Sequence, residues 1–159
     1  MLVRSAPTPR KDTVVTEDTT TSAIAPLPAV GPAADTVTVR MPADGAYLSV
    51  LRTATAGLAA RLDFTLDEIE DLRIAVDEAC AMLLSQAVPG SSLECSFALS
   101  PDDMTITVSV LSLSPRPPSA DTFAWTVLSA LAGSVEALVG PDDRLAIVMR
   151  KTRPNPRPA

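Results

Sequence analysis

Histidine is absent from this 159-residue chain, and cysteine and aromatic residues are scarce. The lack of histidine excludes a Ser-His-Asp triad, a Cys-His pair and a histidine-ligated zinc site. The two cysteines, Cys80 and Cys95, stand inside apolar patterns without CxxC spacing, which argues against a thiolate metal site. Aromatic residues make up 3% of the chain but hydrophobic residues 47%, so we expect a core built from Ala, Val, Leu and Ile.

Long apolar runs are also missing. No stretch is long enough to span a bilayer, and the first residues hold no continuous apolar signal segment, so we expect a cytoplasmic protein without a membrane partner. The net charge is −6, yet residues 1–34 carry three basic and three acidic residues, and residues 150–159 carry four basic residues and no acid. The middle of the chain is therefore strongly acidic. This argues against direct nucleic-acid binding and suits basic protein partners.

Composition divides the chain into one domain and two tails. Residues 1–34 are rich in Thr, Pro, Ala and Ser without a sustained period, which predicts a disordered N-terminal tail. Residues 35–151 are expected to form the folded domain. Residues 152–159 are then expected to be a basic, disordered C-terminal tail.

Hydrophobic periodicity predicts the elements of the domain in the order β, α, α, β, β, α, β, β. The two long helices are expected from about Ala46 to Leu62 and from Thr65 to about Gln86, with Thr65 and Glu68 as a capping box. A hairpin at residues 92–99 and 104–111, a third helix from about Asp121 and a second hairpin follow. The simplest way to bury these stripes is an α/β (α+β) two-layer sandwich, a mixed or antiparallel sheet with helices on one face.

The second helix, within the sequence DLRIAVDEACAMLL, contains a glutamate among apolar residues. Glu78 lies one helical turn from both Ile74 and Met82, nearly opposite the main apolar stripe of the helix. This face is either the floor of a pocket, a docking surface, or a solvated helix face. The stripe expected to face the core consists of Ile69, Leu72, Val76, Ala79 and Leu83.

The order of elements and the string LRIAVDEACAMLL, following a helix that bears Arg52, resemble the anti-sigma factor serine/threonine kinases of the GHKL (histidine-kinase-like, Bergerat-fold) ATPase superfamily. The resemblance covers residues 35 to about 151. It implies that Glu78 stands where relatives carry the glutamate that activates a water or the substrate hydroxyl. Met82 replaces an asparagine that helps to bind magnesium in relatives. Arg52 matches an arginine of their partner-binding surface, although a solvated arginine on an amphipathic helix explains it equally well.

Other positions depart from the family pattern. Where relatives have an Asp-x-Gly-x-Gly turn that binds adenine, this chain has Leu111 to Pro115, with Leu111 and Leu113 among the changed positions. Where relatives have a Gly-x-Gly that cradles phosphates at the last helix, this chain begins with Thr122 and continues through Ala124 to Trp125. We expect the aromatic residues Phe123 and Trp125 there to crowd the phosphate space. The Gly-Thr element before the last strand is replaced by Asp142, Asp143 and Arg144.

These departures together predict a degenerate nucleotide site. Met82 cannot ligate Mg²⁺, which requires oxygen ligands, and phosphoryl transfer depends on positioned metal and phosphate contacts. Glu78 is then catalytic only if the site is active, and neither ATP nor a metal is expected as a cofactor. Ile74, Glu78, Met82, Phe123 and Trp125 could instead fill the vestigial pocket.

The resemblance implies an anti-sigma factor-like regulator that binds and inhibits a bacterial sigma factor. A STAS-domain anti-anti-sigma factor is expected to relieve the inhibition without nucleotide, and homodimers are possible because relatives often dimerise. Two alternatives stay open. One is an active serine/threonine kinase that phosphorylates an anti-anti-sigma factor, and the other is a decoy or scaffold that binds only the STAS partner.

Overall fold

Five strands, three helices and a short 3-10 turn form the part of the chain that the computed structural model describes, residues 35–154 and Pro158. The expected N-terminal tail at 1–34 lies outside the described residues. The elements are β1 (Asp35–Pro42), a 3-10 turn (Gly45–Tyr47), α1 (Leu48–Arg61), α2 (Leu66–Leu84), β2 (Ser92–Leu99), β3 (Asp103–Leu111), α3 (Phe123–Ala132), β4 (Ser134–Val139) and β5 (Arg144–Thr152).

The strands form one sheet in the order β1-β2-β3-β5-β4, and every neighbouring pair is antiparallel. The prediction of a mixed or antiparallel sheet is thus narrowed to an antiparallel one. The register aligns apolar positions across the central strands, with Leu93 opposite Val110 and Val108 opposite Ile147. The residues of this face on β2, β3 and β5 are buried, and they are Leu93, Cys95, Phe97, Leu99, Met104, Ile106, Val108, Val110, Leu145, Ile147 and Met149.

The predicted two-layer sandwich is present, since the helices pack on this apolar face. The central helix is α2, which contacts β3, β5, α1 and α3. Its predicted stripe is confirmed, because Leu72, Val76, Ala79 and Leu83 are buried and Ile69 packs partly buried against them. The face of the sheet away from the helices is rich in Ser and Thr. The alternation of apolar and polar residues along each strand therefore determines which face of the sheet the helices cover.

The predicted capping box begins α2. The Oγ1 atom of Thr65 accepts a hydrogen bond from the Glu68 backbone N–H at 3.3 Å, and the Glu68 carboxylate accepts one from the Thr65 backbone N–H at 2.8 Å. Asp67 and Glu68 also place negative charge at the positive end of the helix. The local sequence therefore fixes where α2 starts, independently of its tertiary contacts.

Element ends differ from the prediction by a few residues where side chains cap the chain. The Asp44 carboxylate accepts a hydrogen bond from the Ala46 N–H at 2.9 Å and starts the 3-10 turn, so α1 begins at Leu48. Likewise, Thr122 caps α3, so that helix begins two residues after the predicted Asp121. The second helix was predicted to run to about Gln86 but ends at Leu84.

The C-terminal boundary of the domain also lies slightly later than expected. Thr152 is the last residue of β5, and the Arg153 guanidinium donates a hydrogen bond to the Asp102 carboxylate at 3.3 Å. Arg153 also lies 3.8 Å from the Asp63 carboxylate. The first two residues of the predicted C-terminal tail are therefore part of the domain, whereas residues 155–157 and 159 lie outside the described residues.

Both cysteines are buried in the core between α2 and the sheet. Cys80 on α2 and Cys95 on β2 are fully inaccessible, and both thiols are free. Burial, helped by the negative charge of Asp77, raises the pKa of Cys80 to about 12. Burial also raises the pKa of Cys95, with Cys80 as the second cause. The folded domain therefore holds both thiols in their neutral form.

The buried thiols predict a loss of stability in alkali. The unfolded thiols ionise near pH 8.5, so between about pH 8.5 and 12 the folded state binds more protons than the unfolded state. The free energy of unfolding should then fall as the pH rises, by at most about 1.4 kcal/mol per pH unit for each thiol. Urea denaturation across this range measures the slope. A Cys80→Ala/Cys95→Ala variant should flatten it, and an unchanged slope in that variant would contradict the assignment.

Gly133 ends α3 in a conformation that requires glycine. Its φ angle is +84°, and a Cβ atom there would lie 2.9 Å from the Arg150 carbonyl oxygen of β5. Since backbone cannot yield as a flexible side chain does, both the conformation and the contact disfavour any other residue. The close approach lets β4 begin directly after α3.

We therefore expect Gly133→Ala to lower the free energy of unfolding by about 1–3 kcal/mol, the cost of a strained positive φ with a steric contact. Gly57→Ala is the matched control, because Gly57 lies within α1 and a Cβ atom there meets no atom within 4 Å. That variant should be stabilised by about 0.5–1 kcal/mol. Thermal denaturation of the two variants measures both effects. Equal melting temperatures would refute the argument.

Candidate functional site

The Glu78 side chain on α2 is half-buried, and its two neighbours on the same helix face differ in their exposure. Ile74, one turn earlier, has 47% of its surface exposed, whereas Met82, one turn later, packs partly buried against the core. Within residues 35–154, the Glu78 carboxylate has no hydrogen-bond or ion-pair partner. The three predicted site residues therefore share one helix face, but only Met82 turns toward the core.

The segment after β3, residues 112–121, runs across the C-terminal end of α2 and is called the strap below. Leu111 closes β3, and its carbonyl oxygen accepts a hydrogen bond from the Val88 N–H at 2.9 Å. Ser112 is buried and donates its N–H to the Asp143 carbonyl oxygen at 2.9 Å. Leu113, one of the predicted nucleotide-site positions, is 77% exposed. Of the positions where relatives are expected to bind adenine, Leu111 and Ser112 are hydrogen-bonded to neighbouring backbone, whereas Leu113 is open to solvent.

The start of α3 is capped by a side chain. The Thr122 Oγ1 atom accepts a hydrogen bond from the Trp125 N–H at 3.2 Å, which occupies one of the donors that a phosphate would need. Ala124 is half-buried. The expectation that both aromatic residues crowd this region is corrected, because Trp125 packs against the core but Phe123 is 84% exposed. Phe123 and Ile74 therefore do not fill a vestigial pocket.

Arg52 contacts α2 rather than standing alone on α1. Its Nε atom donates a hydrogen bond to the Asp77 carboxylate at 2.6 Å, with the two side chains 44% and 31% exposed. Asp77 directly precedes Glu78 in the chain, so the ion pair joins α1 to the same turn of α2, although the two carboxylates point in different directions around the helix. One carboxylate oxygen of Asp77 is buried without a hydrogen-bond partner. Arg52 is thus held in place and keeps nearly half of its side chain accessible.

A shallow groove lies beside this ion pair, between α1 and α2. Its walls are Arg52, Thr53, Ala56, Gly57 and Arg73, so two arginines flank a track of small residues. The Arg73 guanidinium is itself paired with the Glu70 carboxylate at 2.5 Å. Sequence reasoning singled out Arg52 but missed Arg73, Gly57 and Asp77. The helical spacing of the small residues on α1 could have indicated the track, but the pairing of two helices could not be derived from spacing within one.

A double-mutant cycle would measure the strength of the Arg52–Asp77 pair. Because both side chains are partly exposed, solvent screens the attraction, and we expect a coupling free energy of about 0.5–1 kcal/mol between Arg52→Ala and Asp77→Ala. Chemical denaturation of the two single variants and the double variant provides the value. Coupling near zero would contradict a formed ion pair.

The described residues offer no assembled metal site. In residues 35–154, no three His, Cys, Asp or Glu side chains are grouped so that they could hold a metal ion. Met82 presents a thioether where a hard cation requires oxygen. Among the helices described here, none has the length and apolar composition that crossing a membrane requires.

Segments of the chain are similar in sequence to known proteins. No protein-family model matches the chain. The serine-protein kinase RsbW of Halalkalibacterium halodurans is 39% identical over 75 residues, 46% of this chain and 46% of that protein. The serine-protein kinase RsbW of Bacillus subtilis is 43% identical over 54 residues, 34% of each chain. The anti-sigma-F factor RsbW of Mycobacterium tuberculosis is 32% identical over 89 residues, 56% of this chain and 53% of that protein.

A solved structure agrees with the sequence matches. The crystal structure of the RsbU and RsbW domains of a Mycobacterium tuberculosis protein matches with a TM-score of 0.57, covering 74% of this chain and 32% of that chain at 11% identity. This likeness shows the fold, so the predicted Bergerat-type architecture is confirmed.

Over these segments the chain is similar to proteins of the family that its sequence resembles. The similar proteins are named serine-protein kinase RsbW and anti-sigma-F factor RsbW. The matched segments span about a third to a half of the length of these relatives.

Proposed function

We propose that this protein is an anti-sigma factor-like regulator that binds and inhibits a bacterial sigma factor without nucleotide, and that a STAS-domain anti-anti-sigma factor relieves the inhibition. The observation that carries this proposal is a difference between two regions of the helix layer, the α1–α2 groove and the region expected to bind nucleotide. The α1–α2 groove is accessible and has an ordered arginine, whereas the region expected to bind nucleotide is occupied by capping and backbone hydrogen bonds. Homology to proteins named anti-sigma factor supports the partner class.

The chemistry of the groove supports protein binding. Arg52 and Arg73 place two positive charges at a surface lined by Ala56 and Gly57, where a partner helix can approach closely. Each arginine is paired with a carboxylate, Arg52 with Asp77 and Arg73 with Glu70, so the groove presents guanidinium groups whose positions are fixed. A rim charge of this kind sets the register of a partner and its association rate more than it adds affinity.

The nucleotide region supports binding without ATP. Thr122 uses its hydroxyl to cap α3, the backbone of Leu111 and Ser112 is bound to other loops, and Met82 turns a thioether toward the core. Restoring a phosphate cradle would require removing these contacts as well as adding glycines. Glu78 remains accessible, but a general base without a bound γ-phosphate has no substrate to activate.

An affinity pulldown of the full chain from a lysate of its native host, read by mass spectrometry with and without Mg-ATP, tests the proposal. We expect a sigma factor in equal amounts under both conditions. Arg52→Glu should lose it, because the charge at the groove is reversed. Arg61→Glu is the matched control, since Arg61 is exposed on the last turn of the same helix and does not line the groove.

Three results would contradict the proposal. Recovery of a STAS protein alone would favour the decoy or scaffold. A complex that changes with Mg-ATP, together with saturable ATP binding in calorimetry that Glu78→Ala abolishes, would favour the active kinase. Equal loss of the partner in Arg52→Glu and Arg61→Glu would remove the groove from the binding surface. Native mass spectrometry of the recovered complex would also show whether the protein is a dimer.

A further inference from the structure

The middle of the strap is attached to the domain by one side chain. The Gln86 side-chain Nε2 donates a hydrogen bond to the Arg116 carbonyl oxygen at 2.8 Å, and its Oε1 accepts one from the Arg116 backbone N–H at 2.9 Å. The ends of the strap are held by backbone contacts, at Ser112 to Asp143 and at Ser119 to Thr122. Between these ends, the hydrogen bonds that the described residues make to the strap all come from Gln86.

Proline explains why the strap depends on that side chain. Pro115, Pro117 and Pro118 have no backbone N–H, so Arg116 supplies the sole backbone donor between Ser114 and Ser119. The strap can therefore form neither a helical turn nor a strand ladder of its own. The residues that precede proline are also restricted to extended conformations, which reduces the entropy that is lost when the strap is fixed.

Gln86 acts on a strap that forms one wall of an open groove. The opposite wall comes from the turn after α2, with Ala87, Val88 and Pro89, and the strap contributes Ser112, Leu113, Ser114 and Arg116. If the strap moved away from Gln86, these apolar residues of the turn would lose their cover. The two hydrogen bonds of one amide group therefore join the middle of the strap to the opposite wall of this groove.

We propose that Gln86 is a latch that holds the strap closed over the C-terminal end of α2 without any ligand. The amide group is suited to this role because it presents one donor and one acceptor, which match the carbonyl and N–H of a single residue. The Gln86 side chain forms hydrogen bonds only with backbone atoms of Arg116, so the latch does not depend on the arginine side chain.

Amide hydrogen exchange of the full chain tests the latch at a single site. In the unmodified protein the Arg116 N–H should be protected. In Gln86→Ala its exchange should be faster by roughly tenfold or more, because both hydrogen bonds to Arg116 are lost. Gln86→Glu keeps the acceptor but loses the donor and should be intermediate. Arg116→Ala is the matched control, since it retains both backbone groups and should keep the protection.

A second measurement reports the opening of the groove. Cys80 and Cys95 are fully buried, so a cysteine introduced as Ala87→Cys would be the reactive thiol of the folded protein. Its labelling by a maleimide should be faster when Gln86→Ala is added. Unchanged Arg116 exchange in Gln86→Ala, with α2 and β3 still protected, would overturn the latch. So would a shift of Arg116 exchange on adding Mg-ATP to the unmodified protein, because the strap would then respond to nucleotide.

Discussion

The burial of one stripe of α2 is the constraint on which the rest of the structure depends. This helix contacts the two central strands β3 and β5 and has the other two helices at its sides. With Leu72, Val76, Ala79 and Leu83 fixed in the core, the rotation of α2 is determined. Every functional candidate on the helix then takes its direction from that rotation, since residues three and four positions apart share a face.

The same rotation separates two surfaces. On one side, Asp77 faces α1 and orders Arg52 at the accessible groove. At the C-terminal end, Gln86 reaches the strap and holds it against the turn after α2. The same helix therefore lies beside both the α1–α2 groove and the region where relatives are expected to hold nucleotide.

The positions predicted to form a degenerate nucleotide site have structural roles in this domain. Thr122 is a helix cap, Ser112 is buried with its N–H paired, and Met82 packs against the core. Each of these roles provides a hydrogen-bond partner for a polar group or fills apolar space. Loss of nucleotide binding alone would not require such contacts. These local contacts are the structural basis of the proposal that the protein acts without nucleotide.

The sequence by itself determined the element order, the inward stripe of α2, its capping box and the family resemblance, because periodicity and capping are local properties of the chain. It also indicated Glu78, Met82 and Arg52 as a set. Only the tertiary structure decided that Arg52 pairs with Asp77, that Phe123 faces solvent while Trp125 packs inward, and that Gln86 holds the strap. The two pairings join residues 25 and 30 positions apart, and the exposure of the aromatic residues depends on where the sheet lies, so no local pattern specifies this geometry.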